Sequence, residues 1–253
     1  NYLPYQRPPL SKKFLMGELD KERLFFKPEK FYTENEISIN LNSFVQRIDI
    51  ENKEIFLENN KKENYDNLVI ATGTIPRKID FDKKISDKVF YLRSIEDVLN
   101  IRDKIKESKK VTIIGGGYIG LEVAAIINNL GLQVTIVEMA SRILERVTSE
   151  TISSFYTKVH RQAGAEVLTN TSVEGLSENN NGIEVITSNG GIVSDFVIVG
   201  IGVLPCDTLA SESGIDVKNG ILVDEFCRTS NDSVFSAGDC TMHPNIFYNK
   251  NIR

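Results

Sequence analysis

The stretch VTIIGGGYIGLE, residues 111–122, decides how this chain is read. An apolar run ends in Gly115-x-Gly117-x-x-Gly120 and passes directly into a helical pattern over 118–130, which Gly131 closes. A second apolar run, QVTIV at 133–137, follows and ends at Glu138. Strand, glycine turn, helix, strand and terminal acid together are the context in which a dinucleotide binds. Gly115 permits the tight turn. Gly117 lets a pyrophosphate approach the backbone at a helix N-terminus, where free N–H groups carry positive potential. Gly120 allows the helix to pack closely on the strand, and Gly116, Tyr118 and Ile119 complete the candidate contact set. Glu138 stands where a carboxylate accepts hydrogen bonds from both ribose hydroxyls and repels a 2′-phosphate, which predicts NADH over NADPH. Arg142 is the competing feature, either a partner for a 2′-phosphate or a solvated charge.

The bulk properties narrow the class. With 253 residues, 41% of them hydrophobic, the chain can bury one large core or two modest ones. A net charge of −5 argues against nucleic acid or an anionic membrane as partner. No apolar run reaches the roughly 18 residues needed to cross a bilayer and no signal peptide is evident, so a cytoplasmic protein is expected. Cys206, Cys227 and Cys240 form no Cys-x-x-Cys pair. A disulfide framework, a metal site and a dithiol redox centre are therefore not expected. His160 and His243 lack a carboxylate or cysteine at motif spacing and read as structural or exposed.

The chain opens without methionine on a proline-rich stretch, NYLPYQRPPL, and stops at NKNIR, residues 249–253. Both ends read as cut from something longer. An internal echo agrees with that. DNLVIATGTIP at 66–76 and DFVIVGIGVLP at 195–205 share an Asp, a short apolar strand, a Gly seven residues on and a Pro three after that. Gly73 and Gly202 would each let the backbone pass close to a cofactor at the carboxyl end of a parallel strand. One copy belongs to the domain described above, and the other implies a second domain of similar build.

Local patterns complete the expectation. Residues 37–58 alternate as a hairpin turning at Glu51-Asn52-Lys53, and 95–108 and 149–163 read as amphipathic helices. Further strands are predicted at 166–168, 183–187 and 192–200, with a hairpin turn at 179–182.

Taken in order, YQRPPLSK at 5–12, ATG at 71–73, YLR at 91–93, the glycine turn at 115–120, GIGVLP at 200–205 and SAGDC at 236–240 resemble a known family. They are similar to the FAD-dependent, NADH-using ferredoxin reductases of oxygenase systems, the putidaredoxin and rhodocoxin reductase group. The resemblance covers nearly the whole chain, and RPPLSK is its most specific part. It implies an α/β fold of two similar Rossmann-like three-layer nucleotide-binding domains, with the NAD domain inserted in an incomplete FAD domain. Residues 1–76 and 203–253 would be the two parts of the FAD domain and 77–202 the NAD domain. The first FAD fingerprint and the C-terminal interface domain of such reductases have no counterpart here.

The resemblance also implies roles. Asp239 would receive a hydrogen bond from the flavin ribityl chain, and Arg7, Ala71, Thr72, Gly73 and Arg93 would contact FAD. Val45 is a candidate by position, with a core strand residue as its alternative. Lys12 and Glu122 match a lysine–glutamate pair that serves the flavin N5 region and the nicotinamide, and Tyr118 matches an aromatic that covers the empty nicotinamide pocket. Cys206 replaces a residue that is usually Asn or another polar type. The implied activity is hydride transfer from NADH to FAD, then single electrons to a small iron–sulfur ferredoxin. Another acceptor (a rubredoxin, nitrite, a quinone or oxygen) and a non-enzymatic NAD(H)-binding module remain open alternatives.

Overall fold

The computed structural model describes residues 2–59 and 61–253. It divides into two compact units. One joins Leu3–Phe31 to Pro76–Gly202, and the other is built from Tyr32–Ile75 and Val203–Arg253 together with Tyr2.

The unit containing the glycine turn is organised by five parallel strands: β1 (Val89–Phe90), β2 (Lys110–Ile114), β3 (Gln133–Val137), β4 (Glu166–Leu168) and β5 (Phe196–Val199). Their order across the sheet is β1-β5-β2-β3-β4. A buried parallel sheet calls for near-continuous apolar strands, and FVIV in β5 is buried at all four positions. Helices α1 (Ile95–Lys106), α2 (Tyr118–Asn129) and α3 (Glu150–Gln162) accompany the sheet, with α2 packed on β2 and β3 and α3 on β4. A three-stranded antiparallel sheet of Val173–Asn179, Gly182–Thr187 and Gly190–Ser194 forms the third layer. It packs Leu176, Ile183 and Val185 against Ile114, Val197 and Val199.

The local chemistry fits these elements. Ser94 and Asp97 close a reciprocal capping box on α1, whose Ile95, Val98 and Ile101 are fully buried. Leu99 in the same helix is 38% exposed. The single strand expected over 192–200 is two strands in two different sheets. Asp195 makes the break: its carboxylate accepts the backbone N–H groups of Lys109 (2.6 Å) and Lys110 (2.8 Å), which turns the chain from the antiparallel sheet into β5. Helix α3 is amphipathic, but its apolar stripe of Ile152, Phe155, Tyr156 and Val159 is exposed, while Ser153 and His160 are buried.

Residues 8–16 belong to this unit because they pack on α1 and α2, with Leu10, Phe14 and Leu15 buried. The prolines of Pro8–Ser11 open a short 3₁₀ turn there.

The other unit has a smaller core of Ile48, Ile70, Ala210, Ile215, Ile221, Val223, Val234 and Cys240. Around it lie a three-stranded antiparallel sheet, Val45–Asp49, Glu54–Leu57 and Lys62–Asn64, and a parallel pair, Leu68–Ile70 with Val234–Ser236. The expected hairpin is present but shorter than 37–58: its strands begin at Val45, residues 37–44 lie outside them, and Lys53 stands at positive φ in the turn. The sequence echo is reproduced in the backbone. Gly73 (φ +69°) and Gly202 (φ +105°) each follow a parallel strand, and the short strands after them, Thr74–Pro76 and Val203–Pro205, pair with one another.

Candidate functional site

Strand β2 delivers the chain to Gly115, whose φ of +110° is left-handed backbone that glycine alone adopts freely. A Cβ there would stand 2.5 Å from the carbonyl oxygen of Gly200, so the turn is pressed against β5's exit. A Cβ on Gly120 would strike the carbonyl of Gly115, so α2 sits directly on the turn. Gly116 is closed in by Ile143 and Glu138, with a Cβ there only 2.8 Å from Ile143 Cγ2. Gly117, the N-cap of α2, differs: a Cβ there would meet nothing within 4 Å. The free helix N-terminus therefore opens onto empty space, which is the cradle a pyrophosphate requires. Tyr118 and Ile119 in the first turn are exposed by 56% and 39%.

Glu138 is held firmly. Its Oε2 accepts the N–H of Gly116 (2.8 Å) and its Oε1 accepts the N–H of Ala140 (2.8 Å). The carboxylate thus buttresses the glycine turn, and each oxygen keeps a lone pair for a ribose hydroxyl. Arg142 is not the solvated charge weighed for it from the sequence. Its guanidinium donates to the carbonyls of Thr148 (3.0 Å) and Glu145 (3.0 Å) and to Ser153 Oγ (2.7 Å). It clamps the loop whose Leu144 N–H donates to the carbonyl of Gly116 (2.9 Å). That loop gave no signal in the sequence, because its partner is the backbone of the turn.

The structure brings Lys12 and Glu122 together although they lie 110 residues apart: Lys12 Nζ is 2.7 Å from Glu122 Oε2. Lys12 Nζ also donates to the Pro8 carbonyl (3.2 Å), and Ser11 Oγ donates to Glu122 Oε2 (2.5 Å). Ser11 sits inside the RPPLSK motif but was assigned no role from the sequence. Arg7 is exposed at the N-cap of the same 3₁₀ turn. Arg93 is half-buried beside the α1 cap, its N–H donating to Asp97 Oδ2 (2.9 Å). Gly202 accepts the N–H of Arg77 (2.9 Å) through its carbonyl.

The remaining candidates lie in the other unit. Ala71, Thr72 and Gly73 follow Leu68–Ile70, and Asp239 follows Val234–Ser236, so the neighbouring strands of the parallel pair end in these two turns. Ala71, Thr72 and Asp239 are exposed, and a Cβ on Gly238 (φ +86°) would meet nothing within 4 Å. Thr74 Oγ1, one residue beyond Gly73, is buried without a hydrogen-bond partner among the described residues. Open glycine backbone and an unused hydroxyl at the strand ends fit a nucleotide cofactor. Cys206 is tied to this turn through its backbone, its N–H donating to Gly73 (2.9 Å) and its carbonyl accepting from Thr72 Oγ1 (2.6 Å). Val45 packs half-buried against the core.

His160 is 7% exposed, and burial pushes its pKa below the ordinary histidine value. His243 is exposed. Cys206, Cys227 and Cys240 form no disulfide among the described residues. Among the described residues no helix is long and apolar enough to cross a membrane.

Residues 1–251 match the family model described as pyridine nucleotide-disulphide oxidoreductase. The chain belongs to that family. Within it, the chain is 37% identical over 252 residues to a rubredoxin-NAD(+) reductase of Pseudomonas putida, covering 99% of this chain and 66% of that protein. It is 34% identical to putidaredoxin reductase of Pseudomonas putida, covering 99% of this chain and 61% of the relative. Among solved structures it matches the covalent putidaredoxin reductase–putidaredoxin complex with a TM-score of 0.95 at 34% identity, over 100% of this chain and 62% of the other. The chain therefore spans about two thirds or less of the length of these relatives. The family resemblance and the α/β fold expected from the sequence are both shown.

Proposed function

We propose that this protein belongs to an NADH-dependent flavin reductase that passes electrons to a small iron–sulfur protein, a ferredoxin, in the cytoplasm. The observation that carries the reading is the joining of two features on one helix. The open N-terminus of α2 at Gly117 receives the NADH pyrophosphate, and Glu122 in the same helix holds Lys12 at 2.7 Å. Gly115, Gly116, Gly117, Tyr118, Ile119 and Gly120 line the dinucleotide, and Glu138 takes the ribose hydroxyls and disfavours a 2′-phosphate. Arg7, Lys12, Val45, Ala71, Thr72, Gly73, Arg93, Gly202 and Asp239 are assigned to FAD or to its approach. Bound FAD supplies the acceptor of a hydride from NADH and the donor of single electrons. Lys12 places a positive charge for the negative charge that builds on reduction, and Glu122 holds that ammonium and orients the nicotinamide. Tyr118, exposed at the first turn, covers the nicotinamide position until NADH arrives.

A second acceptor class has support of its own. The rubredoxin-NAD(+) reductase relative shares more identity, 37%, than putidaredoxin reductase does, 34%. The test is to mix the protein anaerobically with NADH and follow the flavin absorbance near ~450 nm, then assay ferredoxin, rubredoxin and quinone as acceptors. Bleaching followed by preferential ferredoxin reduction is expected. Preferential rubredoxin reduction would move the assignment to that acceptor. A colourless protein that still binds NADH would leave only a nucleotide-binding module.

A further inference from the structure

Glu122 is held by two neighbours in sequence that differ in every physical respect. Lys12 reaches Oε2 with a long side chain that is 50% exposed, and its ammonium has a second acceptor in the Pro8 carbonyl. Ser11 reaches the same oxygen at 2.5 Å from a site where it is only 5% exposed. An exposed lysine pair is weak and easily exchanged, because water and other acceptors compete for it. A buried hydroxyl donating to a carboxylate is short, charge-assisted and shielded, so it persists.

The backbone explains why Ser11 cannot move away. Leu10 N–H donates to the Arg7 carbonyl (2.9 Å) and Lys12 N–H to the Pro9 carbonyl (3.0 Å), closing the turn on both sides of the serine. Leu10, Phe14 and Leu15, each no more than 2% exposed, anchor the segment. Both donors converge on Oε2, and Oε1 has no hydrogen-bond partner among the described residues, while the Glu122 side chain is 34% exposed.

We infer that Ser11 is a positioning residue. It pins Oε2 of Glu122 and thereby presents Oε1 as a single, fixed acceptor for one N–H donor, the primary carboxamide of a nicotinamide. Ser11 keeps Glu122 in register independently of the ammonium that Glu122 holds. The inference rests on the NADH-binding reading above.

The test is NADH affinity, titrated by fluorescence on the intact protein, for Ser11→Ala, Glu122→Ala and the double variant. Ser11→Ala is expected to raise the Kd about tenfold, the worth of one hydrogen bond to a charged group. The double variant is expected to bind no more weakly than Glu122→Ala alone, since the serine acts through the glutamate. A purely structural serine would instead give losses that multiply. Ser11→Cys, similar in volume but a poor donor, is expected to lose affinity as Ser11→Ala does, and it replaces that variant should the alanine protein fold poorly. Affinity within twofold of wild type for the folded serine variants, or multiplying losses, would overturn the inference and leave the NADH site standing. An unaltered protein that binds no NADH would overturn both.

Discussion

The two units carry the same sequence device in different surroundings. In the larger one, FVIV of β5 is buried on both faces and leads to Gly202; in the smaller one, LVI of Leu68–Ile70 leads to Gly73 with Val69 61% exposed. The backbone outcome is shared, a parallel strand followed by a glycine at positive φ and a short paired strand. The burial outcome is not. An apolar run and a glycine specify a strand and its turn, whereas what packs on the strand's faces decides how much stability it contributes.

The largest expected effect follows from that contrast. Phe196, fully buried and in edge contact with Phe90 (centroids 5.7 Å apart), should lose about 3–5 kcal/mol on replacement by alanine. Val69→Ala should stay within about 0.5 kcal/mol. Denaturant unfolding of the two variants would measure the gap, and equal losses would show that the exposed strand is covered in solution.

The second effect separates two glycines within one turn. Gly120→Ala drives a methyl group into the Gly115 carbonyl and should both destabilise the protein and abolish NADH binding. Gly117→Ala places its methyl group in open space, so the melting temperature should barely change while NADH affinity falls about tenfold, because the methyl occupies the pyrophosphate's approach. A Gly117→Ala protein with unaltered affinity would remove the pyrophosphate from that position.

Arg142 gives a smaller and cleaner test. With its guanidinium committed to Thr148, Glu145 and Ser153, Arg142→Ala should cost about 1–3 kcal/mol and leave the preference for NADH over NADPH unchanged. A shift in that preference would return the residue to the cofactor.

The smallest effect is a pH dependence. Burial lowers the His160 pKa, so the unfolded chain binds a proton more readily than the folded one below the ordinary histidine value of 6.5. Stability should fall as pH drops through that value and level off only once the folded imidazole is itself protonated. His160→Gln should flatten that part of the profile, and an unchanged slope would assign it to carboxylates.

Much of the glycine unit was legible because its signals are local. The turn at 115–120, the helix after it and the acid at 138 follow from backbone conformation and periodicity within some thirty residues of sequence. Reading 192–200 as one strand failed because the apolar run is continuous through Asp195, and nothing nearby in sequence reveals that its carboxylate caps Lys109 and Lys110. Helix α3 was legible as amphipathic, but not that its apolar stripe would lie exposed. Its inward face is claimed by Ser153, which binds both Arg142 and the Ile143 carbonyl.

The sequence by itself determined the parallel-strand device, its two copies and the dinucleotide turn, because glycine conformational freedom and hydrophobic period act over short range. Only the tertiary structure decided that residues 8–16 pack on α1 and α2, that Ser11 and Lys12 share one oxygen of Glu122, and that Arg142 is tied to the loop that follows it. Those outcomes depend on groups far apart in the sequence, or on backbone carbonyls that every residue carries. Hydrogen-bond geometry and burial choose among such partners only once the chain has folded.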